Sequence, residues 1–183
     1  MNMIGYPIRV LSATLAFIAI LTSSTVSGRA VSCPAADIVG NAGSALIGAA
    51  HRSSAPAFAS VLARYADVNA IAMVALGQYR SSLPRAQRAE YLANTKRYIT
   101  RFLVEKSGAF KNSQKLTIDS CDGNVVKTSF DGRSRIVWRL SGGRIADVQV
   151  SGVWLALQLR SKFTSIVRRN QGDIRPLLDF LRG

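Results

Sequence analysis

The chain has 183 residues, of which 24 are Lys or Arg and 10 are Asp or Glu, so its formal net charge is +14. Such a charge favours an anionic partner, which can be nucleic acid, a membrane surface or an acidic protein. The N-terminus has the pattern of an export signal, which makes nucleic acid the least fitting of the three partners. We therefore expect no nucleic-acid partner.

Residues 1–30 have the three parts of a secretory signal peptide. Arg9 precedes an apolar run over 10–21, and the small residues that end TSSTVSGRA fit a cleavage site. The apolar run is shorter than the roughly 20 residues that a membrane span needs. We therefore predict cleavage near Ala30, which leaves residues 31–183 as a single exported domain.

Two cysteines remain after this cleavage, Cys33 and Cys121. An oxidising compartment lets them pair, whereas a reactive thiol needs a base that nothing in the sequence supplies. We predict a disulfide that closes a loop of about 87 residues, for which the chain-entropy treatment gives about 4–5 kcal/mol of stabilisation.

The first half of the exported chain has helical patterns. Residues 36–50 are rich in Ala, Gly, Ile, Val and Leu, and residues 57–76 carry apolar side chains at steps of three and four. The turn SSLP opens another amphipathic helix over 84–104, since Pro is favoured in a first helical turn. We predict two or three helices before Gly108.

After Gly108 the period of the apolar residues changes to two. Four short stretches show it, around 116–118, 126–130, 136–140 and 146–150, and the turn sequences CDGN and SGGR separate the first two and the last two. This pattern predicts an antiparallel meander with one apolar and one basic or polar face. Helices over 151–170 and 174–181 follow, so we predict an α+β fold in which helices pack on a strongly twisted sheet of about four strands.

The sequence offers few groups for catalysis. His51 is the only histidine and has no partner that spacing identifies, and the ten carboxylates show no metal-ligand spacing. Glycine-rich phosphate-binding motifs are absent. We therefore expect no enzyme, no metal and no cofactor; the alternative is an enzyme that uses Asp147 or Tyr79 with a buried Arg.

Three segments carry a resemblance to a known family. Residues 73–103, MVALGQYRSSLPRAQRAEYLANTKRYITRFL, have a helix that ends Leu-Gly-x-Tyr, a turn with Pro, and Gln-Arg-x-Glu-Tyr. DVQVSGVWLALQLRSKF over 147–163 and GDIRPLLDFL over 172–181 follow in the right order. The chain resembles the MlaC family of periplasmic phospholipid-binding proteins, also called the toluene-tolerance auxiliary family. It departs from the family at Ser151, where Glu is usual, and at Trp154, where Ser is usual.

The resemblance implies a monomeric periplasmic carrier that holds a phospholipid by its acyl chains. It implies a shuttle between an inner-membrane lipid ABC transporter and an outer-membrane lipoprotein complex, which maintains the lipid asymmetry of the outer membrane. Each buried methylene is worth about 0.8 kcal/mol, so a lipid needs a dry slot to cross water. The alternatives are a carrier of hopanoids or another lipid within the family, and a non-catalytic basic adaptor of the periplasm.

An apolar lipid cavity between the sheet and its covering helices follows from this interpretation. Periodicity indicates which side chains face inward, but it does not distinguish a cavity from an ordinary filled core. The expected lipid-binding residues are Tyr98, Phe102, Ile118, Val126, Phe130, Ile136, Trp138, Val148, Val150, Val153 and Leu157.

The helix over 151–170 places Arg160 among apolar residues that cover a wide arc. A buried cation must be paired, and Asp147, at the end of the preceding strand, is the predicted partner. The alternatives are a lipid phosphate at the mouth of the cavity and a side chain that extends to water.

Overall fold

The computed structural model describes residues 33–183, and the predicted signal peptide with its cleavage site near Ala30 lies outside the described residues. The described residues belong to one compact unit. Among them, no helix is both long and apolar enough to cross a bilayer.

The N-terminal half begins with three helices: α1 (Pro34–His51), α2 (Ala55–Tyr65) and α3 (Val68–Ala75). The sequence pattern predicted a single helix over 57–76, and this prediction is wrong because the chain leaves the helix at Ala66. There the backbone is extended and pairs with Ile145. Asp67 then restarts the helix, since its carboxylate accepts a hydrogen bond from the backbone N–H of Ala70 at 2.9 Å.

Two short 3-10 helices, Gly77–Ser82 and Arg85–Gln87, lead into α4 (Arg88–Lys106). A third one, Ser107–Phe110, follows it. The predicted helix over 84–104 is therefore present with its start shifted, because the turn containing Pro84 continues as 3-10 helix before the α-helix begins.

Five antiparallel strands form one open sheet in sequence order: β1 (Leu116–Asp122), β2 (Val125–Phe130), β3 (Ser134–Ser141), β4 (Arg144–Val150) and β5 (Val153–Trp154). The predicted meander is confirmed, with Trp138 of β3 opposite Val126 and Val148. The additional strand, β5, has two residues and turns back on β4 through Ser151 and Gly152, which both have positive φ.

The chain ends in α5 (Leu155–Arg169) and α6 (Arg175–Arg182). The buried residues of α5 form one stripe: Ala156, Leu159, Phe163, Ile166 and Val167. The wide apolar arc predicted for this helix is wrong at Leu157, which is 51% exposed on the side away from the stripe. A single stripe is what a helix at the surface of a domain shows.

Aromatic side chains of α4 and α5 join the helices on one side of the domain. Tyr91 is fully buried, and its hydroxyl donates to the carbonyl oxygen of Ala72 at 2.7 Å. Phe163 packs edge-on against the rings of both Tyr91 and Tyr98, with centroids 6.5 and 5.9 Å away. Such edge-to-face pairs add about 0.5–1.5 kcal/mol to the burial of the rings.

The first helix is attached to the edge of the sheet. The structure joins Cys33, just before α1, to Cys121 of β1 in a disulfide with Cα atoms 6.5 Å apart. Further along α1, Gly43 lies so close to Leu116 that a Cβ atom there would overlap the leucine side chain. The small residues of α1 therefore allow close approach of this helix to β1.

Candidate functional site

An apolar pocket of about 130 Å³ lies between the inner face of the sheet and helices α1, α2 and α4. Most of the helical wall comes from three helices: Ala42, Leu46, Ile47 and Ala50 of α1, Phe58, Val61, Leu62 and Tyr65 of α2, and Ile99 and Leu103 of α4. Ala66, Ile71 of α3 and Leu155 of α5 complete its apolar part. The floor consists of Phe130, Ile136, Trp138, Ile145, Val148 and Val150. Both surfaces are almost wholly hydrocarbon.

The few polar groups of the pocket lie at its edge or have partners. Among residues 33–183, Lys106 is the only charged residue of the lining, and its side chain is exposed. Ser107 donates its hydroxyl hydrogen to the carbonyl oxygen of Val104 at 2.6 Å. No carboxylate, histidine or cysteine is found among the described residues that line the pocket. This arrangement suits the binding of hydrocarbon and offers no acid–base pair.

The floor of the pocket is kept apolar by an internal hydrogen bond. Trp138 is 3% exposed, and its indole N–H donates to the hydroxyl oxygen of the buried Thr128 at 2.8 Å. A buried N–H without a partner would cost about 1–3 kcal/mol. Because Thr128 accepts this bond, Trp138 presents its ring to the pocket with its polar atom already paired.

The structure divides the eleven predicted lipid-binding residues into two groups. Five line the pocket: Phe130, Ile136, Trp138, Val148 and Val150. Six do not: Tyr98, Phe102, Ile118, Val126, Val153 and Leu157. Of these, Val126 is fully buried in the core, whereas the side chains of the β5 and α5 residues are about half exposed.

Tyr98 and Phe102 of α4 were predicted to line the pocket, but the residue after each of them lines it instead. Ile99 and Leu103 line it, whereas Tyr98 packs against Phe163 and Phe180. One residue is about 100° of helix rotation, and α4 contacts other elements on several sides. The sequence shows apolar residues on a broad arc of α4, which does not reveal which edge of the arc meets the sheet.

Helices α1 and α2 contribute much of the wall, and sequence reasoning assigned none of their residues to the site. The signal for α2 was present, because Phe58, Val61, Leu62 and Tyr65 follow the i, i+3, i+4, i+7 pattern of one helix face. The signal for α1 was weak because the residues that share its pocket face include small alanines. A helix made of small residues leaves space, which is what a pocket requires.

The predicted pairing of Asp147 with Arg160 is wrong. Arg160 is exposed on α5, and its guanidinium lies against Gly77. Asp147 instead accepts hydrogen bonds from the backbone N–H groups of Val148, at 2.9 Å, and Ala156, at 3.1 Å. The second bond caps the first turn of α5, where an anion also complements the helix dipole.

Asp147 shows the two opposing effects of burial and hydrogen bonding. Burial raises its pKa, while the bonds from Ala156 and Val148 and the charge of Arg139 act in the lowering direction; the net direction is upward. Arg139 of β3 is the cross-strand neighbour of Asp147, and its charge acts on this carboxylate without forming an ion pair among the described residues. Arg139 also stacks on Trp154, 4.1 Å from the ring centroid, which gives this tryptophan a structural role.

Substitution of Asp147 is expected to destabilise the fold through α5. Asp147→Ala leaves the buried N–H of Ala156 without an acceptor and should lower the free energy of unfolding by about 1–3 kcal/mol. Asp147→Asn keeps an oxygen at the cap and should cost less. Urea denaturation measures both, and the exposed Asp122→Ala should stay within about 0.5 kcal/mol of wild type.

The pH dependence of the stability of Asp147→Asn, compared with wild type, checks whether the pKa of Asp147 is raised. A pKa above the unfolded value means that the folded state binds the proton more tightly, so wild type should gain stability relative to Asp147→Asn as the pH falls from about 7 to 4. A gain by the variant over this range would contradict the assigned pKa direction.

His51, the only histidine of the sequence, does not line the pocket. A ring nitrogen of His51, Nε2, lies 2.8 Å from the carbonyl oxygen of Ser113 and holds the segment after α4 against the end of α1. Within residues 33–183 there is no cluster of three or more side chains that would suit a metal ion.

Comparisons with known proteins agree on the fold. The family model described as MlaC protein matches residues 41–183. A solved structure of the phospholipid-binding protein from Ralstonia solanacearum, in complex with a phospholipid, superposes with a TM-score of 0.64 at 17% sequence identity, covering 81% of this chain and 94% of that one. No curated protein matches the sequence. Since the family model covers most of the chain, the protein belongs to the MlaC family.

Proposed function

We propose that this protein is a periplasmic carrier that binds a phospholipid by placing acyl chain in the pocket between the sheet and helices α1, α2 and α4. The observation that carries the proposal is the continuous hydrocarbon lining of this pocket. Two acyl chains lose on the order of 20 kcal/mol or more in transfer to water. A wall without buried unpaired polar groups is what such a ligand needs.

The size of the pocket indicates how loading proceeds. An apolar cavity of about 150 Å³ holds one benzene ring, so the 130 Å³ found here is too small for two chains. Loading therefore requires the walls to separate. Helices α1 and α2 form the wall opposite the sheet, and their connection is a short turn in which Ser53 has a positive φ. We infer that this helical pair moves away from the sheet.

Lys106 marks the end of the pocket at which a headgroup fits. It is the charged residue of the lining, and its ammonium group is exposed. With the chains inside and the phosphate near Lys106, the charged part of the lipid stays in water. This orientation avoids the desolvation of a phosphate, which costs more than any neutral contact returns.

Family membership supports the wider part of the proposal. We propose that the chain, monomeric and exported after cleavage near Ala30, passes lipid between an inner-membrane ABC transporter and an outer-membrane lipoprotein complex and so maintains outer-membrane lipid asymmetry. A hopanoid or another apolar lipid is the alternative ligand, since hydrocarbon walls select poorly among chains of similar width. A non-catalytic basic adaptor is the alternative to a carrier.

Extraction of bound lipid tests the proposal. The full chain, purified from cells that export it, should release phospholipid at about one molecule per protein when its organic extract is analysed by mass spectrometry. Leu62→Asp places a charge in the pocket wall and should abolish this lipid, because an ionised carboxylate in hydrocarbon is strongly disfavoured. Leu62→Trp, which fills the pocket without adding charge, should reduce it.

The matched control is Leu157→Asp, the same substitution at a leucine that is 51% exposed and does not line the pocket. It should keep the lipid. A protein that folds, carries no lipid and takes up none from vesicles would overturn the carrier proposal. An extract with a sterol-like or hopanoid lipid in place of phospholipid would identify the alternative ligand.

A further inference from the structure

A second concave site lies outside the pocket, between α5 and the 3-10 helix Gly77–Ser82. It has a volume of about 280 Å³ and is lined by Gln78, Tyr79, Arg160, Thr164 and Arg168. The three α5 residues are spaced by four, so they form one stripe along the helix surface. None of the five residues lines the apolar pocket. The cleft is therefore a separate feature with a different chemistry.

The guanidinium of Arg160 lies directly against the backbone of a glycine, Gly77. Gly77 has φ +56, and a Cβ atom at this position would come within 2.7 Å of Nε of Arg160. The missing side chain therefore leaves the space that the guanidinium occupies. Any other residue would be strained by its backbone angle and would displace the arginine.

The charges of the cleft have no partner within the described chain. The ion pairs of residues 33–183 use Lys106, Arg175 and Arg182, and neither Arg160 nor Arg168 takes part in one. Arg168 lies in the last turn of α5, where the helix dipole favours a cation, but Arg160 lies in the middle of the helix and gains nothing from that dipole. Two arginines and a tyrosine thus line one cleft, and no carboxylate is among the described residues that line it.

We propose that this cleft binds a phosphate group. Guanidinium pairs with phosphate oxygens through two parallel hydrogen bonds, which makes Arg the preferred residue for such recognition. Arg160 and Arg168 are about two helical turns apart on α5, and Tyr79, which also lines the cleft, carries a hydroxyl that can donate a further hydrogen bond. The phosphate can come from the headgroup of a lipid in a bilayer or from the free ion. The inference goes beyond the carrier function, since it concerns residues that the bound acyl chains do not touch.

The experiment compares two double variants of the full exported chain. The cleft variant, Arg160→Gln/Arg168→Gln, removes both charges of the cleft. The turn variant, Arg133→Gln/Arg135→Gln, removes two exposed charges, one in the β2–β3 turn and one at the start of β3. Binding is measured by flotation with vesicles of phosphatidylcholine alone or mixed with phosphatidylglycerol. Titration with inorganic phosphate is followed by amide chemical shifts. Lipid extraction of both variants shows whether the apolar pocket is intact.

Wild type should bind the anionic vesicles, and the cleft variant should lose about 30-fold in affinity, since each basic residue near an anionic surface contributes about fivefold. The turn variant should lose less than about threefold in affinity if the site is local.

Chemical-shift changes of Tyr79 and Arg160 on addition of phosphate, without vesicle binding, would assign the cleft to the free ion. Equal losses in both double variants would overturn the proposal, as would the absence of any response to phosphate and vesicles in wild type. Retention of extracted lipid in the cleft variant separates these outcomes from a failure of the carrier function.

Discussion

The double variant Cys33→Ser/Cys121→Ser should lose about 4–5 kcal/mol of unfolding free energy. The two residues are 88 positions apart in the chain, and a cross-link over such a loop removes much of the entropy of the unfolded state. Ser fits both positions because both side chains are partly exposed, so a hydroxyl can reach water. Urea denaturation measures the loss. It should appear as a lower midpoint with, at most, a modest change in slope.

Reduction of the wild-type protein supplies the matched control. Dithiothreitol should lower the stability of wild type to that of the double variant and leave the variant unchanged. Hydrogen exchange should locate the effect in α1 and β1, because the disulfide joins these two elements. A loss below about 1 kcal/mol would mean that the unfolded chain is compact without the bond.

The consequence for function follows from the position of the bond. The disulfide fixes the first residues of α1, while Ala42, Leu46 and Ile47 in its middle line the pocket. The disulfide thus fastens the N-terminal end of this part of the pocket wall, and its reduction frees that end. We expect the reduced protein to exchange lipid with vesicles faster than the oxidised protein.

Much of the fold could be predicted because its signals are local. The alternation around Trp138 and the glycine pair at 142–143 are enough to define the β3–β4 hairpin, since strand period and turn chemistry act over a few residues. The break between α2 and α3 was missed because Ala66 has no turn propensity of its own. It leaves the helix to pair with Ile145, 79 positions later, and such a contact leaves no local signal.

The candidate site could be predicted only in part, because local sequence patterns indicate some of its residues and tertiary contacts determine the others. Sheet residues such as Ile136 and Val148 were placed at the pocket because a strand has only two faces, and the apolar one must be covered. A helix can present its residues in any direction, so Tyr98 and Leu157 were assigned to the wrong side. The role of Asp147 depends on the N-terminus of α5 lying beside β4, a tertiary arrangement that spacing does not encode.

Trp138→Ala should be the most destabilising single substitution at the pocket, with a loss of about 3–5 kcal/mol in protein freed of lipid. Trp138 forms part of the floor, is 3% exposed and lies opposite both Val126 and Val148. Its removal enlarges a space that is already partly empty, so the surrounding side chains lose contacts with nothing to replace them. It also leaves the hydroxyl of Thr128 without its indole donor.

Two comparisons test this prediction further. The first distinguishes the contribution of the Trp138 ring from that of its N–H group, and the second compares lipid-free with lipid-loaded protein. Trp138→Phe keeps most of the ring and loses the N–H, so it should cost about 1–2 kcal/mol. In lipid-loaded protein the cost of Trp138→Ala should fall by at least about half, because an acyl chain can occupy the space that the indole leaves. Calorimetry of delipidated and reloaded samples measures both differences. An equal cost in the two states would mean that the lipid does not reach the floor beside Trp138, and the acyl chains would then have to bind nearer to Leu62 and Lys106.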